Sequence, residues 1–198
     1  MESARYLDTL RWTNTYRKLI VTGSQRSGTT ICAQMISADL GWEYIDETAV
    51  DVSSTDKAIC LIRNQEKFVL QMPAILMKTD DIAGFLGNGG GAVVIMRRPY
   101  REVEASRRRI GWSPREDAEL SVRQDLLDRA NSVGCPLPYP QAFLTRKLGL
   151  MEFRQMYIEH YLQHLPHFLV LDYRDLAGHP LYVAPELRRN FRPKQTAL

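Results

Sequence analysis

Residues 23–30 carry two glycines, an arginine and several hydroxyl side chains, in the order Gly-Ser-Gln-Arg-Ser-Gly-Thr-Thr. An apolar run at 19–21 precedes this loop, and a helical pattern that begins at Ile31 follows it. Backbone N–H groups of a strand–loop–helix unit converge on an anion, and the positive end of the helix points at it. Gly23 and Gly28 give the backbone freedom that such a cradle needs. The loop therefore predicts a site for a phosphate-like group.

The loop is similar to the triphosphate-binding pattern Gly-x4-Gly-Lys-Ser/Thr, but Thr29 stands at the lysine position. In that pattern the lysine neutralises the terminal phosphates, and the following hydroxyl holds magnesium. Here the cation lies inside the loop, at Arg26. A cation there, followed by Ser-Gly-Thr-Thr, resembles the 5′-phosphosulfate loop of sulfotransferases, which use 3′-phosphoadenosine-5′-phosphosulfate (PAPS). The resemblance implies that the phosphosulfate lies on Gln25, Arg26, Ser27, Gly28, Thr29 and Thr30.

Two later segments resemble the same family. Sulfotransferases place an arginine at a strand end and a serine eight residues later, and both bind the cofactor 3′-phosphate. The resemblance implies this role for Arg98 and Ser106, with Arg97 as the alternative if the strand ends one residue earlier. The sequence Tyr-Arg-Asp-Leu at 173–176 resembles the family element Tyr-Glu-Asp-Leu, which implies that Tyr173 lies near the adenine.

Transfer of a sulfuryl group needs a base for the acceptor proton and positive charge for the leaving phosphate. Arg26 fits the second role. The segment 70–73, Leu-Gln-Met-Pro, has no histidine of the kind that serves as base in the cytosolic branch of the family. Other branches use a glutamate after the second strand, which implies Glu47 as base, with Asp46 as second choice. The chain is thus identified as a PAPS-dependent sulfotransferase of the glutamate-base type, with no metal requirement.

The elements that must position these residues alternate along the chain. Apolar or alternating runs predict strands at about 18–22, 42–45, 68–71, 92–96 and 168–172, with helical patterns between them. This order predicts an α/β fold in which a parallel sheet of about five strands carries helices on both faces, as in P-loop NTPases. Ligands bind beyond the carboxyl ends of such strands, where the candidate residues lie. The helical stretch at about 113–165, before the last strand, predicts a cap over the ligand cleft.

Bulk properties agree with one domain over 1–198, with its core at about 18–178. A net charge of +3 does not favour a nucleic acid partner. The sequence lacks a signal-peptide pattern at its start and a run of eighteen apolar residues, so we expect a cytoplasmic protein that does not contact membranes. The resemblance implies a small-molecule or glycan acceptor with a hydroxyl group, and the sequence leaves the acceptor and the oligomeric state open.

Two alternative functions remain. The run at 168–172 ends in Asp172 and fits a magnesium-holding strand of nucleotide hydrolases, which together with the loop favours a P-loop kinase acting on a small molecule or nucleotide. The short chain and the lack of a catalytic histidine also leave open a non-catalytic module that binds a nucleotide or a partner. The basic segment 187–194 either folds over the nucleotide or forms a disordered end.

Overall fold

The sheet contains five parallel strands among the residues that the computed structural model describes, which are 4–49, 55–78, 81–84, 86, 90–111, 120–132, 134, 140–145 and 150–182. The strands are β1 (Lys18–Gly23), β2 (Glu43–Ile45), β3 (Phe68–Gln71), β4 (Gly91–Arg97) and β5 (Phe168–Asp172). Their order is β2-β3-β1-β4-β5, and every neighbouring pair is parallel. The predicted α/β fold with a five-stranded parallel sheet is confirmed.

Helices connect the strands and precede the first one. The described helices are α1 (Ala4–Thr13), α2 (Thr29–Leu40), α3 (Thr55–Asn64), α4 (Tyr100–Arg109), α5 (Leu120–Ser132), α6 (Pro140–Leu144) and α7 (Leu150–His160). Single 3-10 segments at Glu47–Ala49 and Tyr173–Leu176 follow β2 and β5 directly. Helix α2 ends at Leu40, because Gly41 adopts φ 63° and donates its N–H to the Ser37 carbonyl.

Alternate residues of the central strands are buried on opposite faces of the sheet. One face carries Ile20, Val93 and Ile95, which pack with apolar side chains from α3, α5, α6 and α7. The other carries Val21 and Val94 with side chains of α1 and α2. Burial on both faces explains why these strands read as continuous apolar runs.

The helical stretch between β4 and β5 has two roles. Side chains of α5, α6 and α7, such as Leu127, Phe143 and Phe153, contribute to the core on one face of the sheet. Gln155 of α7 also lines a small cleft beside the β1 loop, together with Ser24 and Arg98. The segment therefore supports the sheet and reaches the site. Within the predicted cap, residues 113–119, 133, 135–139 and 146–149 lie outside the described residues, as does the basic segment 187–194.

Among the described residues, the helices are too short or too polar to cross a bilayer.

Candidate functional site

The loop after β1 forms an open cradle at the start of α2. Ser27 N–H donates to the Ser24 carbonyl over 2.9 Å, which closes a tight turn. Gly28 is the N-cap residue of α2, with φ 101° and no side-chain capping hydrogen bond. The first N–H groups of a helix have no partners within the helix, and they favour anions. The loop geometry thus fits a phosphate group.

Both glycines of the loop are required by close packing. A Cβ atom at Gly23 would lie 2.5 Å from the Met96 carbonyl oxygen of β4. A Cβ atom at Gly28 would overlap the ring of Tyr173, directly after β5. Their φ angles, 148° and 101°, are also unfavourable for other residues. Contacts with the ends of two strands therefore fix the shape of the cradle.

The hydroxyl side chains of the loop differ in their surroundings. Ser27 is 1% exposed, and its Oγ has no hydrogen-bond partner among the described residues. Thr29 is 4% exposed, and its Oγ1 accepts a hydrogen bond from Gln71 Nε2 over 3.5 Å. Gln25 and Thr30 are exposed. A buried hydroxyl that lacks a partner is costly, and a bound anion would supply one at Ser27.

The predicted cations of the site meet at the loop. Arg26 adopts φ 71°, and its Nε donates to Ser106 Oγ of α4 over 3.3 Å. Arg98 is 6% exposed and donates from Nη1 to the Arg26 carbonyl over 3.3 Å. Its guanidinium carbon also lies 4.2 Å from the centre of the Tyr173 ring. The structure therefore brings Arg26, Arg98, Ser106 and Tyr173 together, and Arg98 braces the loop that carries Arg26.

Arg97 and Asp172 form a pair at the ends of β4 and β5, where they are partners in the strand register. Arg97 donates from Nε and Nη2 to the two Asp172 carboxylate oxygens, over 2.6 and 2.8 Å. These hydrogen bonds lower the pKa of Asp172 and raise that of Arg97. Since Arg97 pairs with both carboxylate oxygens, a magnesium ion at Asp172, which the kinase alternative requires, would have to compete with this guanidinium.

The two acidic residues after β2 have different partners. Asp46 accepts hydrogen bonds from the Tyr44 hydroxyl over 2.9 Å and from the Thr48 N–H over 3.0 Å. Burial raises the pKa of Glu47, and so does the charge of Asp46, while a hydrogen bond with Gln71 lowers it. A carboxylate with a raised pKa is suited to accept a proton near neutral pH. Of the two predicted bases, Glu47 therefore has the better environment.

The sequence did not predict a role for Gln71 at this site. It ends β3, between the β1 loop and Glu47, and it is buried. The only signal in the sequence is a single amide at the end of the apolar run 68–70. One polar residue at a strand end matches no motif, so its role becomes visible only when the strand order is known.

The sheet and the loop together define an α/β fold of the P-loop kind. The chain is similar to a shikimate kinase from Acinetobacter baumannii, with 16% identity and a TM-score of 0.40 over 62% of this chain and 80% of that one. It is also similar to a gluconokinase from Sinorhizobium meliloti 1021, with 16% identity and a TM-score of 0.39 over 84% of this chain and 86% of that one. Likenesses at this level transfer neither an activity nor a substrate to this chain. Neither a family model nor a curated protein sequence matches the chain.

The prediction of a PAPS-dependent sulfotransferase is corrected by these comparisons, because the two structures named above are a shikimate kinase and a gluconokinase and agree better with the kinase alternative. The structure adds a physical reason. Tyr173, which the resemblance places near the adenine, is 2% exposed and lies between Gly28 and the Arg98 guanidinium. The spacing that carries the resemblance therefore coincides with side chains that pack around the loop, and the role of Tyr173 near an adenine stays a prediction.

Proposed function

We propose that this chain is a phosphotransferase of the P-loop class, which moves the terminal phosphoryl group of a nucleoside triphosphate to a hydroxyl group of a small molecule. One observation carries this proposal. The same edge of the sheet presents an anion cradle after β1 and a carboxylate of raised pKa, Glu47, after β2. An anion site paired with a base is the arrangement that phosphoryl transfer to a hydroxyl requires.

The order of the strands sets the distance between the loop and Glu47. β3 separates β2 from β1, and neighbouring strands lie about 4.8 Å apart, so the two strand ends are roughly 10 Å apart. A hydroxyl group between them could reach both the Glu47 carboxylate and a phosphate on the loop. Its oxygen would attack the terminal phosphorus while its proton passes to Glu47. The bond to the leaving diphosphate oxygen would then break, with Arg26 near the charge that develops there.

The residues fit the phosphates better than they fit a metal ion. Ser27 Oγ and the uncapped start of α2 can hold phosphate oxygens. Magnesium usually bridges the phosphates in nucleotide kinases. Asp172 is occupied by Arg97, and the described residues include no cluster of three potential metal ligands of the His, Cys, Asp or Glu type. We therefore assign no catalytic step to a metal in this chain.

A non-catalytic nucleotide-binding module is the second candidate. Thr29 replaces the lysine that stabilises the terminal phosphates in triphosphate loops, and its buried hydroxyl faces Gln71. If Arg26 does not take over the function of that lysine, the chain would bind the nucleotide without transferring its phosphoryl group.

Thermal unfolding with AMP, ADP and ATP, each with and without magnesium, tests the nucleotide site. Ligands that bind only the folded state stabilise it. We expect ATP to raise the melting temperature most, because it carries the terminal phosphate that the loop is proposed to hold. Arg26→Gln removes the loop charge, retains a donor for Ser106 and should weaken ATP binding by roughly 10- to 100-fold. The matched control is Arg108→Gln, since Arg108 is an exposed residue of α4 that pairs with Glu104. This control should bind ATP like the parent protein.

Absence of stabilisation by any of the three nucleotides would contradict both candidates. If ATP binds, formation of ADP over a panel of small hydroxyl compounds separates them. Transfer to at least one compound supports the phosphotransferase, whereas binding without transfer to any of them supports the non-catalytic module.

A further inference from the structure

Two arginines share the carboxylate of Glu102, which lies in the first turn of α4. Glu102 Oε2 accepts a hydrogen bond from Arg98 Nε over 3.2 Å, and Oε1 accepts one from Arg174 Nη2 over 2.7 Å. The hydrogen bond from Arg174, supported by that from Arg98, keeps the pKa of Glu102 below its ordinary value. One acid therefore connects the chain after β4 with the chain after β5.

The two arginines differ in how firmly they are held. Arg98 is 6% exposed, donates a further hydrogen bond to the Arg26 carbonyl and lies against the Tyr173 ring. The side chain of Arg174 is 76% exposed. Water and salt screen an ion pair at such a position, so the pair with Glu102 contributes little to stability. Arg174 can therefore leave Glu102 at low cost, whereas Arg98 is fixed by its contacts with the loop.

Arg174 lies beside the anion cradle. It belongs to the 3-10 segment that directly follows β5, at the edge of the sheet where the loop after β1 also lies. Its neighbour Tyr173 is so close to Gly28, the N-cap residue of α2, that a Cβ atom at Gly28 would overlap the tyrosine ring. The guanidinium group of Arg174 bonds to the same carboxylate as Arg98, which contacts the loop backbone. An arginine that pivots there has the cradle within its surroundings.

The loop itself supplies little positive charge for a triphosphate. Residues 23–30 contain one cation, Arg26, because Thr29 stands at the lysine position of triphosphate loops. In those loops the lysine stabilises the terminal phosphates. A second cation close to the loop would therefore favour the binding of a triphosphate.

We propose that Arg174 exchanges its partner Glu102 for the terminal phosphate when a nucleoside triphosphate binds to the loop. This inference rests on the proposed function, because that function places the triphosphate on the loop. Guanidinium groups form strong, charge-assisted hydrogen bonds with phosphate oxygens, which exceed a screened surface ion pair. Arg98 keeps Glu102 as its partner, so the loop retains its brace during the exchange.

Calorimetric titration with ATP and AMP tests the proposed contact. Arg174→Gln should weaken ATP binding by roughly 10- to 100-fold and change AMP binding by less than about twofold, because AMP lacks the terminal phosphate. The matched control is Arg108→Gln, since Arg108 is exposed on α4, pairs with Glu104 and changes the net charge equally. An ATP affinity of Arg174→Gln equal to that of the control would overturn the inference, and so would equal losses for ATP and AMP.

Carbon-13 NMR of glutamate carboxyl groups tests the exchange itself, with the Glu102 signal assigned by Glu102→Gln. Saturation of the parent with ATP should move the Glu102 titration to higher pH, because the carboxylate loses its hydrogen bond from Arg174. ATP should move this titration much less in Arg174→Gln, where that arginine is already absent. A parent titration that ATP leaves unchanged would overturn the exchange. An equal shift in both proteins would overturn it too, because the phosphate charge would then act on Glu102 directly.

Transfer measurements distinguish failure of this inference from failure of the proposed function. If the parent transfers phosphate and Arg174→Gln binds ATP like the control, the role of Arg174 alone is overturned. If the parent binds ATP and transfers nothing, the phosphotransferase is overturned, while selective loss of ATP binding in Arg174→Gln still supports the contact with the terminal phosphate. A parent protein that binds neither nucleotide would overturn both.

Discussion

Two carboxylates lie beyond the same edge of the sheet and have opposite electrostatic environments. Burial and a neighbouring acid raise the pKa of Glu47, after β2. Two hydrogen bonds from Arg97 lower the pKa of Asp172, at the end of β5. Topology places both residues where active sites of parallel sheets form. The neighbouring side chains determine which of the two carboxylates can act as a base. A carboxylate paired with a cation stabilises the fold, whereas one with a raised pKa is available for proton transfer.

Of the variants considered for these two carboxylates, Glu47→Gln should have the largest effect on the rate of transfer. Loss of the base should lower the rate of transfer by about 10²- to 10⁴-fold. The melting temperature should not fall, because the substitution removes a partly buried charge that lies beside Asp46. ADP release with an identified acceptor measures the first effect, and thermal unfolding measures the second. A variant that retains the parent rate would show that Glu47 is not the base.

Asp172→Asn should have the opposite result, with kcat within about twofold of the parent and a stability loss of about 1–3 kcal/mol at neutral pH. The pKa of Asp172 is lowered in the folded protein, so its contribution to stability is present above the unfolded pKa and is lost as the pH falls through the folded pKa. The difference between parent and variant should therefore shrink below about pH 4. Urea denaturation across this range provides the measurement. A loss that does not depend on pH would argue against the ion pair as its cause.

The smallest effect on the reaction should come from Asp46→Asn. Asp46 raises the pKa of Glu47, so removal of its charge should lower that pKa. The base would then be ionised at lower pH, and the acid limb of the pH–rate profile should move to lower pH with little change in the plateau. The control Glu104→Gln removes an acid that pairs with Arg108 on α4 and should leave the profile in place. Movement of the limb to higher pH would contradict the assignment of this limb to Glu47.

The fold was predictable because each strand has a strong local pattern. The run 92–96 has the pattern of a strand buried on both faces, and β4 includes all of these residues. Alternation with helices then requires parallel pairing. The shape of the loop between β1 and α2 was predictable for the same reason, since its glycines and hydroxyls lie within eight residues, whereas anion binding there stays a prediction.

The function and the partners of the site residues were less predictable. The positions of Arg98, Ser106 and Tyr173 matched a known pattern, but spacing along the chain does not reveal burial. In the structure the side chains of Arg98 and Tyr173 contact each other and the loop. The opposite environments of Glu47 and Asp172 depend on contacts between strands, which a single sequence does not specify. For the same reason Gln71 was missed.

The buried position of Thr29 also limits which residues the loop accepts there. A lysine that followed the path of the threonine side chain would place an ammonium group in the space where the threonine hydroxyl meets Gln71. Such a charge is strongly disfavoured unless a buried partner appears with it. A lysine at the start of α2 would therefore need a compensating replacement of Gln71 at the end of β3. The composition of the loop and that of the neighbouring strand are thus coupled.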